Sequence, residues 1–355
     1  MTGKVEANDR LAEFLRSEVF GGASEVRVVE MTRPPGGASW ETLITTVAVR
    51  ADGDEKLHRL VLKRAPDTGP LAPYDVTKDV VIFRALADSG VPVPRLLAYT
   101  TDRSVFERPF SVTTFIDGES HDITKVEQWP IWQSQREKLG RQIVDVLAAL
   151  QCVPWQRTEL PSVLGPRGDQ RSRVAAIVGK YLTPLLTSAA ERGLAQPLWR
   201  DMGAWLVENA PELDEDDMVV VHGDYRFGNL LWQGTRIAAV VDWERAMLGD
   251  PMADVGFICM PLSRRVQPEL MGKALHLDAL TDRYEKGAGR AVDIRRVQYW
   301  SVLWQFIEGV NSTRGLVEGF RAHRGVASSS VIAPNLVARQ TIRLMEAYDD
   351  GRLDL

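Results

Sequence analysis

Two apolar segments of this 355-residue chain each end in side chains that carry oxygen ligands. The first, in 221-VHGDYRFGNLLW-232, leads into Asp224 and, five residues later, Asn229. The second, in 237-IAAVVDWERAMLGDP-251, ends at Asp242. Mg²⁺ accepts carboxylate and carboxamide oxygens alongside phosphate oxygens, and a further carboxylate can take the proton of an attacking hydroxyl. The set predicts a phosphoryl-transfer site, whereas an isolated Asp and Asn at this spacing would indicate an ordinary capped turn.

The residues around these side chains resemble a known family. The segment 222-HGDYRFGN-229 resembles the HGDxxxxN catalytic loop of the aminoglycoside phosphotransferase and choline kinase-like family, which has a protein-kinase-like fold. It is also similar to the protein-kinase loop in its five-residue step from Asp to Asn. The segment 90-GVPVPRLL-97 is typical of the same family. Within it, 36-GGASWET-42 and 222-HGDYRFGN-229 look most similar to the bacterial phosphotransferase-like branch related to the acyl-CoA-dehydrogenase-associated kinase domain.

The resemblance implies a role for each oxygen-bearing residue. Asp224 would be the catalytic base, and Asn229 and Asp242 would be Mg²⁺ ligands. Asp242 stands in Asp-Trp-Glu, where protein kinases have Asp-Phe-Gly. Asp254, in 249-GDPMADVGF-257, would support the catalytic loop.

Arg226 is the second candidate catalytic residue. It follows the base by two positions, where protein kinases place a Lys that neutralises the transferred phosphate. A guanidinium could do the same, because its planar donors match phosphate oxygens. The alternative role for Arg226 is a structural pair with Glu244 or Asp250.

A glycine-containing turn near the N-terminus is the candidate phosphate loop. In 34-PPGGASWET-42, Gly36 and Gly37 would let backbone amides approach phosphate closely, and Ser39 could add a hydroxyl. The turn does not match the Walker A pattern. The hypothesis that it binds phosphate therefore depends on its position between two predicted strands.

Lys63 is the candidate lysine for the nucleotide phosphates. Strand alternation in 60-LVLKRAP-66 puts Lys63 and Arg64 on opposite faces, and Arg64 is expected to be a solvated surface charge. The family pairs this Lys with a helix Glu, and the matching position here is Asp79. Because Asp is one methylene shorter, the pair could be longer or bridged by water. Asp75 or Glu41 could instead supply the acid.

Adenine would be bound by main-chain groups, which leave little trace in a sequence. The stretch 109-PFSVTTFIDGE-119 resembles the family's hinge segment. The resemblance therefore implies contacts near Thr114, Phe115 and Ile116.

The predicted secondary structure changes from mainly strands to mainly helices at Asp117-Gly118. Before that point, periodicity predicts helices at 6–20 and 76–90 and strands at 25–31, 41–50, 57–65, 95–100, 104–107 and 110–116. After it, helices dominate, at 134–151, 171–192, 198–209 and 293–319, with strands only at 218–222 and 237–242. The expected class is α+β, a two-lobed protein-kinase-like fold. An antiparallel β-sheet lobe with a helix, residues 1–117, would bind nucleotide, and a larger, mainly helical lobe, residues 118–355, would carry the catalytic and acceptor sites.

Composition narrows the class of protein. With 45% hydrophobic and 26% charged residues, the chain reads as an ordinary globular protein. The net charge of −5 and pI near 5.7 argue against a nucleic-acid partner, and no apolar run is long enough for a membrane span. The polar N-terminus and two widely separated cysteines, Cys152 and Cys259, favour the cytoplasm. The sequence contains no signal that indicates the oligomeric state.

The acceptor is the least determined part of the prediction. The acidic run over 212–217 could attract a polycation but is expected to be a solvated loop. On the predicted helix 293–319, Trp300, Trp304 and Ile307 share one face, which favours core packing. The alternative is that this helix forms one wall of an aromatic acceptor pocket, with Glu308 and Asn311 of the same helix as polar contacts.

Three functional hypotheses follow. The first is a phosphotransferase that uses ATP, with GTP as the alternative nucleotide, together with Mg²⁺ and a small-molecule hydroxyl acceptor. The second is a kinase of aminoglycosides or other antibiotics. The third is a nucleotide-binding pseudokinase or regulatory module with a weakened Lys63–Asp79 pair, which the intact Asp224, Asn229 and Asp242 disfavour. A protein kinase is disfavoured because no Ala-Pro-Glu-like segment follows Asp242.

Overall fold

The computed structural model describes residues 2–34, 40–66, 74–122, 125–165, 168–264, 267–319 and 334–353. Strands and helices are mixed along the chain, as expected for an α+β fold. The strands are β1 Glu25–Thr32, β2 Glu41–Ala51, β3 Asp54–Arg64, β4 Leu96–Thr100, β5 Phe110–Thr114, β6 Val219–Val221, β7 Leu230–Gln233, β8 Arg236–Val240 and β9 Met247–Gly249. The helices are α1 Thr2–Glu18, α2 Val76–Leu86, α3 Arg103–Phe106, α4 Trp132–Gln151, α5 Leu160–Val163, α6 Gln170–Ala190, α7 Pro197–Glu208, α8 Met252–Cys259, α9 Leu277–Ala288, α10 Ile294–Gly319 and α11 Pro334–Asp349.

The chain divides into two compact units. The first unit comprises Met1–Glu119, Gln156–Val163 and Ala238–Glu244. The second unit comprises Ser120–Trp155, Leu164–Ile237 and Arg245–Leu355. Asp242 therefore belongs to the same unit as the five-stranded sheet.

The first unit is built on an antiparallel sheet with the strand order β1-β2-β3-β5-β4. A tight hairpin turn joins β2 and β3, in which Asp52 and Gly53 both have positive φ, 51° and 87°. On β3, Leu60 and Leu62 are buried in a core that also takes in one face of α1. Alternation along the strand then places Lys63 on the opposite face.

Two local predictions for the first unit were wrong. The predicted strand 104–107 is the short helix α3, because Asp102 caps it by accepting from Ser104 N at 2.8 Å. Arg64 was expected in solvent, yet its side chain is 11% exposed. It donates to Glu41 (2.7 Å) and lies 3.4 Å from Glu107, and these two acids balance the charge of the largely buried guanidinium.

The second unit is centred on packed helices. Trp300 and Trp304 of α10 are buried, and Ser301 Oγ donates to Gly256 O of α8 at 2.8 Å. Trp304 Nε1 donates to Ala253 O, also at 2.8 Å. These bonds need the two helices in close contact, which the absent side chain of Gly256 permits. The aromatic residues are therefore core, and the alternative of an aromatic pocket wall was wrong for them.

Short strands flank the predicted catalytic loop, with β6 before it and β7 after it. β6 pairs antiparallel with β9, and β7 pairs with β8 in a second two-stranded sheet. The prediction of strands only at 218–222 and 237–242 missed β7 and β9, which are four and three residues long. Segments of this length are too short to show an alternating pattern. No helix within the described ranges is long and apolar enough to cross a membrane.

Candidate active site

A tight turn after β6 presents Asp224. Gly223 has a φ of 77°, and a Cβ placed there would lie 2.6 Å from Arg245 O. The carboxylate of Asp254 accepts from His222 N at 2.7 Å and from Gly223 N at 2.8 Å. The turn therefore needs glycine for its backbone, and the predicted supporting role of Asp254 agrees with these two hydrogen bonds.

Asn229 and Arg226 both donate to Asp224. Asn229 Nδ2 donates to the main-chain oxygen of Asp224 at 2.9 Å and to its Oδ2 at 2.7 Å. Arg226 Nε donates to Oδ1 at 3.0 Å. The loop thus folds back on itself, and both carboxylate oxygens are held in a defined orientation.

The surroundings of Asp224 favour its ionised form. The side chain is 8% exposed, and burial alone would raise its pKa. The nearby charges of Arg226 and Arg245 outweigh burial and hold the pKa of Asp224 below its usual value. A carboxylate that stays ionised at neutral pH can accept a proton.

The partner of Arg226 is neither of the two acids that the sequence suggested for a structural pair. It pairs with Asp224 rather than with Glu244 or Asp250. Asp250 is buried, accepts from Met252 N at 2.8 Å and lies 3.6 Å from the Arg296 guanidinium. Arg226 keeps 39% of its side chain exposed, so its guanidinium is accessible to an anion.

In the first unit, Lys63 and Asp79 meet directly. Lys63 Nζ lies 2.8 Å from Asp79 Oδ2 and 3.9 Å from Asp242 Oδ1, and it stands over the Trp40 ring at 4.8 Å. Burial acts to lower the pKa of Lys63, but Asp79 and Asp242 outweigh it and raise that pKa. The possibility of a longer or water-bridged pair was wrong, because α2 brings its first turn close enough for the shorter acid to reach.

The two alternative acids for Lys63 are engaged elsewhere. Asp75 caps α2 by accepting from Thr77 N at 2.8 Å. Glu41 accepts from Arg64 and Arg108, each at 2.7 Å. Asp79 is therefore the helix acid that serves Lys63.

The oxygen donors predicted for Mg²⁺ fit that ion chemically. Asn229 uses its amide nitrogen on Asp224, so its amide oxygen is the atom suited to a cation. Asp242 has φ 67° and a side chain that is 35% exposed, and its 3.9 Å distance to Lys63 Nζ is too long for a hydrogen bond. No cluster of three or more His, Cys, Asp or Glu suited to a metal occurs in the described part of the chain. Mg²⁺ sites made of one or two carboxylates plus substrate phosphates do not require one.

The remaining predicted nucleotide contacts are only partly described. Thr114 ends β5, and its amide is engaged by Arg95 O at 2.9 Å. The Phe115 ring lies 3.6 Å from the Arg59 guanidinium, and Ile116 is half-buried. Gly36, Gly37 and Ser39 lie outside the described residues.

One charged pair near the predicted base has no signal in the sequence. Arg245 Nη1 donates to Glu308 Oε1 at 2.7 Å, and its guanidinium lies 5.6 Å from the Tyr181 ring. Arg245 follows Asp242 by three residues, whereas Glu308 comes from the middle of α10. A pair between positions so far apart has no local pattern that could reveal it.

Relatives of known sequence share part of this chain. Acyl-CoA dehydrogenase family member 10 of Mus musculus is 32% identical over 207 residues. The match covers 57% of this chain but 18% of that protein's length, so the chain spans less than a fifth of this curated relative.

Solved structures share the fold. A candidate aminoglycoside phosphotransferase from Ralstonia eutropha superposes with a TM-score of 0.70 at 21% identity, covering 97% of this chain and 98% of that one. A thermostable mutant of an aminoglycoside phosphotransferase, in a ternary complex with ADP and hygromycin B, gives 0.58 at 15% identity over 95% and 98% of the two chains. The predicted kinase-like α+β fold is thereby confirmed. Residues 38–290, more than half of the sequence, match the phosphotransferase enzyme family (APH), and the chain belongs to that family.

Proposed function

We propose that the chain is an ATP- and Mg²⁺-dependent phosphotransferase that moves the γ-phosphate of ATP to a hydroxyl of a small molecule. Membership of the phosphotransferase family supports the reaction class. The observation that carries the proposal is Asp224, a buried carboxylate kept ionised by arginines and oriented by Asn229. This is what a general base for a hydroxyl requires.

The second unit would supply the chemistry at the acceptor. Asp224 takes the proton of the acceptor hydroxyl as the hydroxyl oxygen attacks the γ-phosphorus, the bond from that phosphorus to the β-phosphate oxygen breaks, and ADP leaves. Asn229 keeps the Asp224 carboxylate from rotating away. Arg226, which is accessible and always charged, stabilises the negative charge of the transferred phosphoryl group.

The first unit would supply nucleotide binding. Lys63, held by Asp79, binds the α- and β-phosphate oxygens. The loop of Gly36, Gly37 and Ser39 is proposed to cover the phosphates. Main-chain groups of Phe115 and Ile116 are proposed to bind the base, which would be adenine, with guanine as the alternative.

Mg²⁺ would be held by Asn229 and Asp242. When bound, the ion would neutralise charge on the nucleotide phosphates. Both residues offer hard oxygen atoms, and the partial exposure of Asp242 leaves its carboxylate accessible to the ion.

The charges near the base bear on the choice of acceptor. Arg226 and Arg245 are the cations that act on Asp224, and a polycation placed there would be repelled. Residues 214–217 of the acidic run are exposed, as expected for a solvated loop. These observations favour a small hydroxyl compound over an aminoglycoside, although a family relative has been solved with hygromycin B. The 2.8 Å contact of Lys63 with Asp79 supports an active kinase over the pseudokinase alternative, which was considered because this pair looked weakened.

A library screen tests the proposal. Metabolites and antibiotics are offered with MgATP, ADP formation is measured, and Asp224→Asn serves as the blank. We expect the variant to lose about 10²- to 10⁴-fold in turnover, the contribution of a general base, while calorimetry shows MgATP binding retained. Asp216→Asn makes the same chemical change on an exposed loop and should behave as wild type. Near-normal turnover by Asp224→Asn would overturn the assignment of the base.

A further inference from the structure

The backbone of Asp242 has an unfavourable conformation. Its φ of 67° lies in the left-handed region, which residues with a side chain adopt only rarely, Asn and Asp more than most. Such a conformation persists only where the surrounding structure determines it. The contacts on either side of Asp242 in the first unit therefore decide where its carboxylate points.

The chain is anchored directly before Asp242. Val240 is the last residue of β8 and is buried, and its amide donates to Pro92 O at 2.8 Å. The ring of Trp243 is also buried, and its Nε1 donates to Val240 O at 3.2 Å. These two bonds fix the end of the strand and the side chain that follows Asp242.

Lys78 of α2 holds the chain after Asp242. Lys78 is half-buried, and its Nζ donates to the main-chain oxygen of Glu244 at 3.1 Å. Glu244 lies in the single 3₁₀ turn Trp243–Arg245 and is the last residue of its segment in the first unit. A lysine commonly binds the carbonyl oxygens at the end of a helical turn, because these lack partners within the turn. The bond thus fixes the far end of the segment that carries Asp242.

The neighbouring residues Lys78 and Asp79 serve different groups. Asp79 is 2% exposed, and its Oδ2 lies 2.8 Å from Nζ of Lys63. Lys78 instead reaches the turn that follows Asp242. One helix therefore positions both the cation proposed for the nucleotide phosphates and the carboxylate proposed for Mg²⁺, whose atoms Nζ and Oδ1 are 3.9 Å apart.

We infer that Lys78 is a positioning residue of the proposed metal site, which keeps the Asp242 carboxylate in the orientation that binds Mg²⁺ by holding the carbonyl of Glu244. The inference rests on the proposed function and deepens it, because it names a residue outside the ligand set on which a ligand depends. Contacts of this kind orient metal ligands, and their loss typically lowers metal affinity about 10- to 100-fold.

The first test is calorimetry of AMP-PNP binding with and without Mg²⁺. Lys78→Met keeps the length of the side chain, removes the ammonium, and should weaken binding in the presence of Mg²⁺ by about tenfold or more. Without Mg²⁺ the affinity should stay within about twofold of wild type, because Lys63 and Asp79 are unchanged. Lys78→Arg retains a charged donor and should stay within about threefold of wild type. Lys56→Met makes the same change at an exposed lysine of β3 and should bind as wild type does.

The double variant with Asp242→Ala shows whether Lys78 acts through Asp242. If it does, Lys78→Met should change the gain in affinity from Mg²⁺ by less than about twofold once Asp242 is replaced. An equal loss in both backgrounds would overturn the inference. So would a Mg²⁺-free affinity that falls as much as the affinity with Mg²⁺, because the damage would then include the lysine site.

The second test needs neither nucleotide nor metal. Hydrogen exchange is measured for the amides over 241–244 and, as an internal control, for those of β2. Loss of a bond from a charged donor should speed exchange over 241–244 about tenfold in Lys78→Met, while β2 keeps its wild-type rates and Lys78→Arg behaves as wild type. Unchanged exchange over 241–244, or an equal acceleration in β2, would overturn the inference, because Lys78 would then have no local effect on the turn.

The two proposals fail in different ways. If Asp242→Ala leaves the gain in affinity from Mg²⁺ intact, the metal ligand of the proposed function is wrong, and the role of Lys78 falls with it. If Asp242→Ala removes that gain but Lys78→Met does not reduce it, only the role of Lys78 fails.

Discussion

Replacing Asp79 by Asn removes one charge from a buried ion pair. Asp79 is 2% exposed, and its Oδ2 lies 2.8 Å from Nζ of Lys63, whose side chain is 16% exposed. Breaking such a pair on one side typically costs about 3–5 kcal/mol, because the other charge remains desolvated. Lys63 would keep Asp242 at 3.9 Å and the Trp40 ring at 4.8 Å. We therefore expect the low end of the range, about 3 kcal/mol of unfolding free energy.

Urea unfolding at pH 7, followed by far-UV circular dichroism, measures this loss. Asp54→Asn is the matched control, since Asp54 is exposed on the same sheet and should change stability by less than about 0.5 kcal/mol. The double variant Lys63→Met with Asp79→Leu replaces both charges by apolar groups. We expect it to lie within about 1 kcal/mol of wild type, because no buried charge is left unpaired.

Two results would refute this reasoning. If Asp79→Asn costs less than about 1 kcal/mol, Lys63 is not held by a buried pair. If the double variant is as unstable as Asp79→Asn, the loss comes from packing around α2 rather than from charge.

Three further predictions concern the catalytic loop and the metal. Asp242→Ala should weaken ATP binding in the presence of Mg²⁺ and change it little in its absence, as measured by calorimetry. Gly223→Ala should cost more than about 1 kcal/mol in urea unfolding, because its φ is 77° and its Cβ would meet Arg245 O. Burial raises the pKa of Asp254 to about 7, whereas an unfolded Asp has a pKa of about 4. The folded state then binds more protons between those values, so wild-type stability relative to Asp254→Asn should fall as pH rises from about 4 to about 7 and stay level above that; a flat difference would refute this.

Much of the fold was predictable because its signals are local. The helix 76–90 and the strands over 41–50 and 57–65 were predicted from periodicity, and they appear as Val76–Leu86, Glu41–Ala51 and Asp54–Arg64. The catalytic loop was recognisable because its residues lie within eight positions of each other. Asn229 donates to Asp224 within that span, so one short segment specifies the contact.

Two predictions failed because a polar partner, rather than the periodic pattern, decided the local structure. Arg64 looked like a surface charge, but Glu41 and Glu107 make its buried position possible. The stretch 104–107 resembled a strand, but the cap by Asp102 favours one helical turn. Both errors come from polar side chains whose partners are not visible in a periodic pattern.

The sequence by itself determined the type of reaction expected and the residues predicted to carry it, because HGDxxxxN places the predicted base and a predicted metal ligand in one loop. It also determined which strand positions face the core, since alternation is a property of the backbone. Only the tertiary structure decided that Asp79 reaches Lys63 directly and that Glu308 fixes Arg245. Those pairs join residues 16 and 63 positions apart, and ion pairs depend on distance in space, which no local pattern of residues encodes.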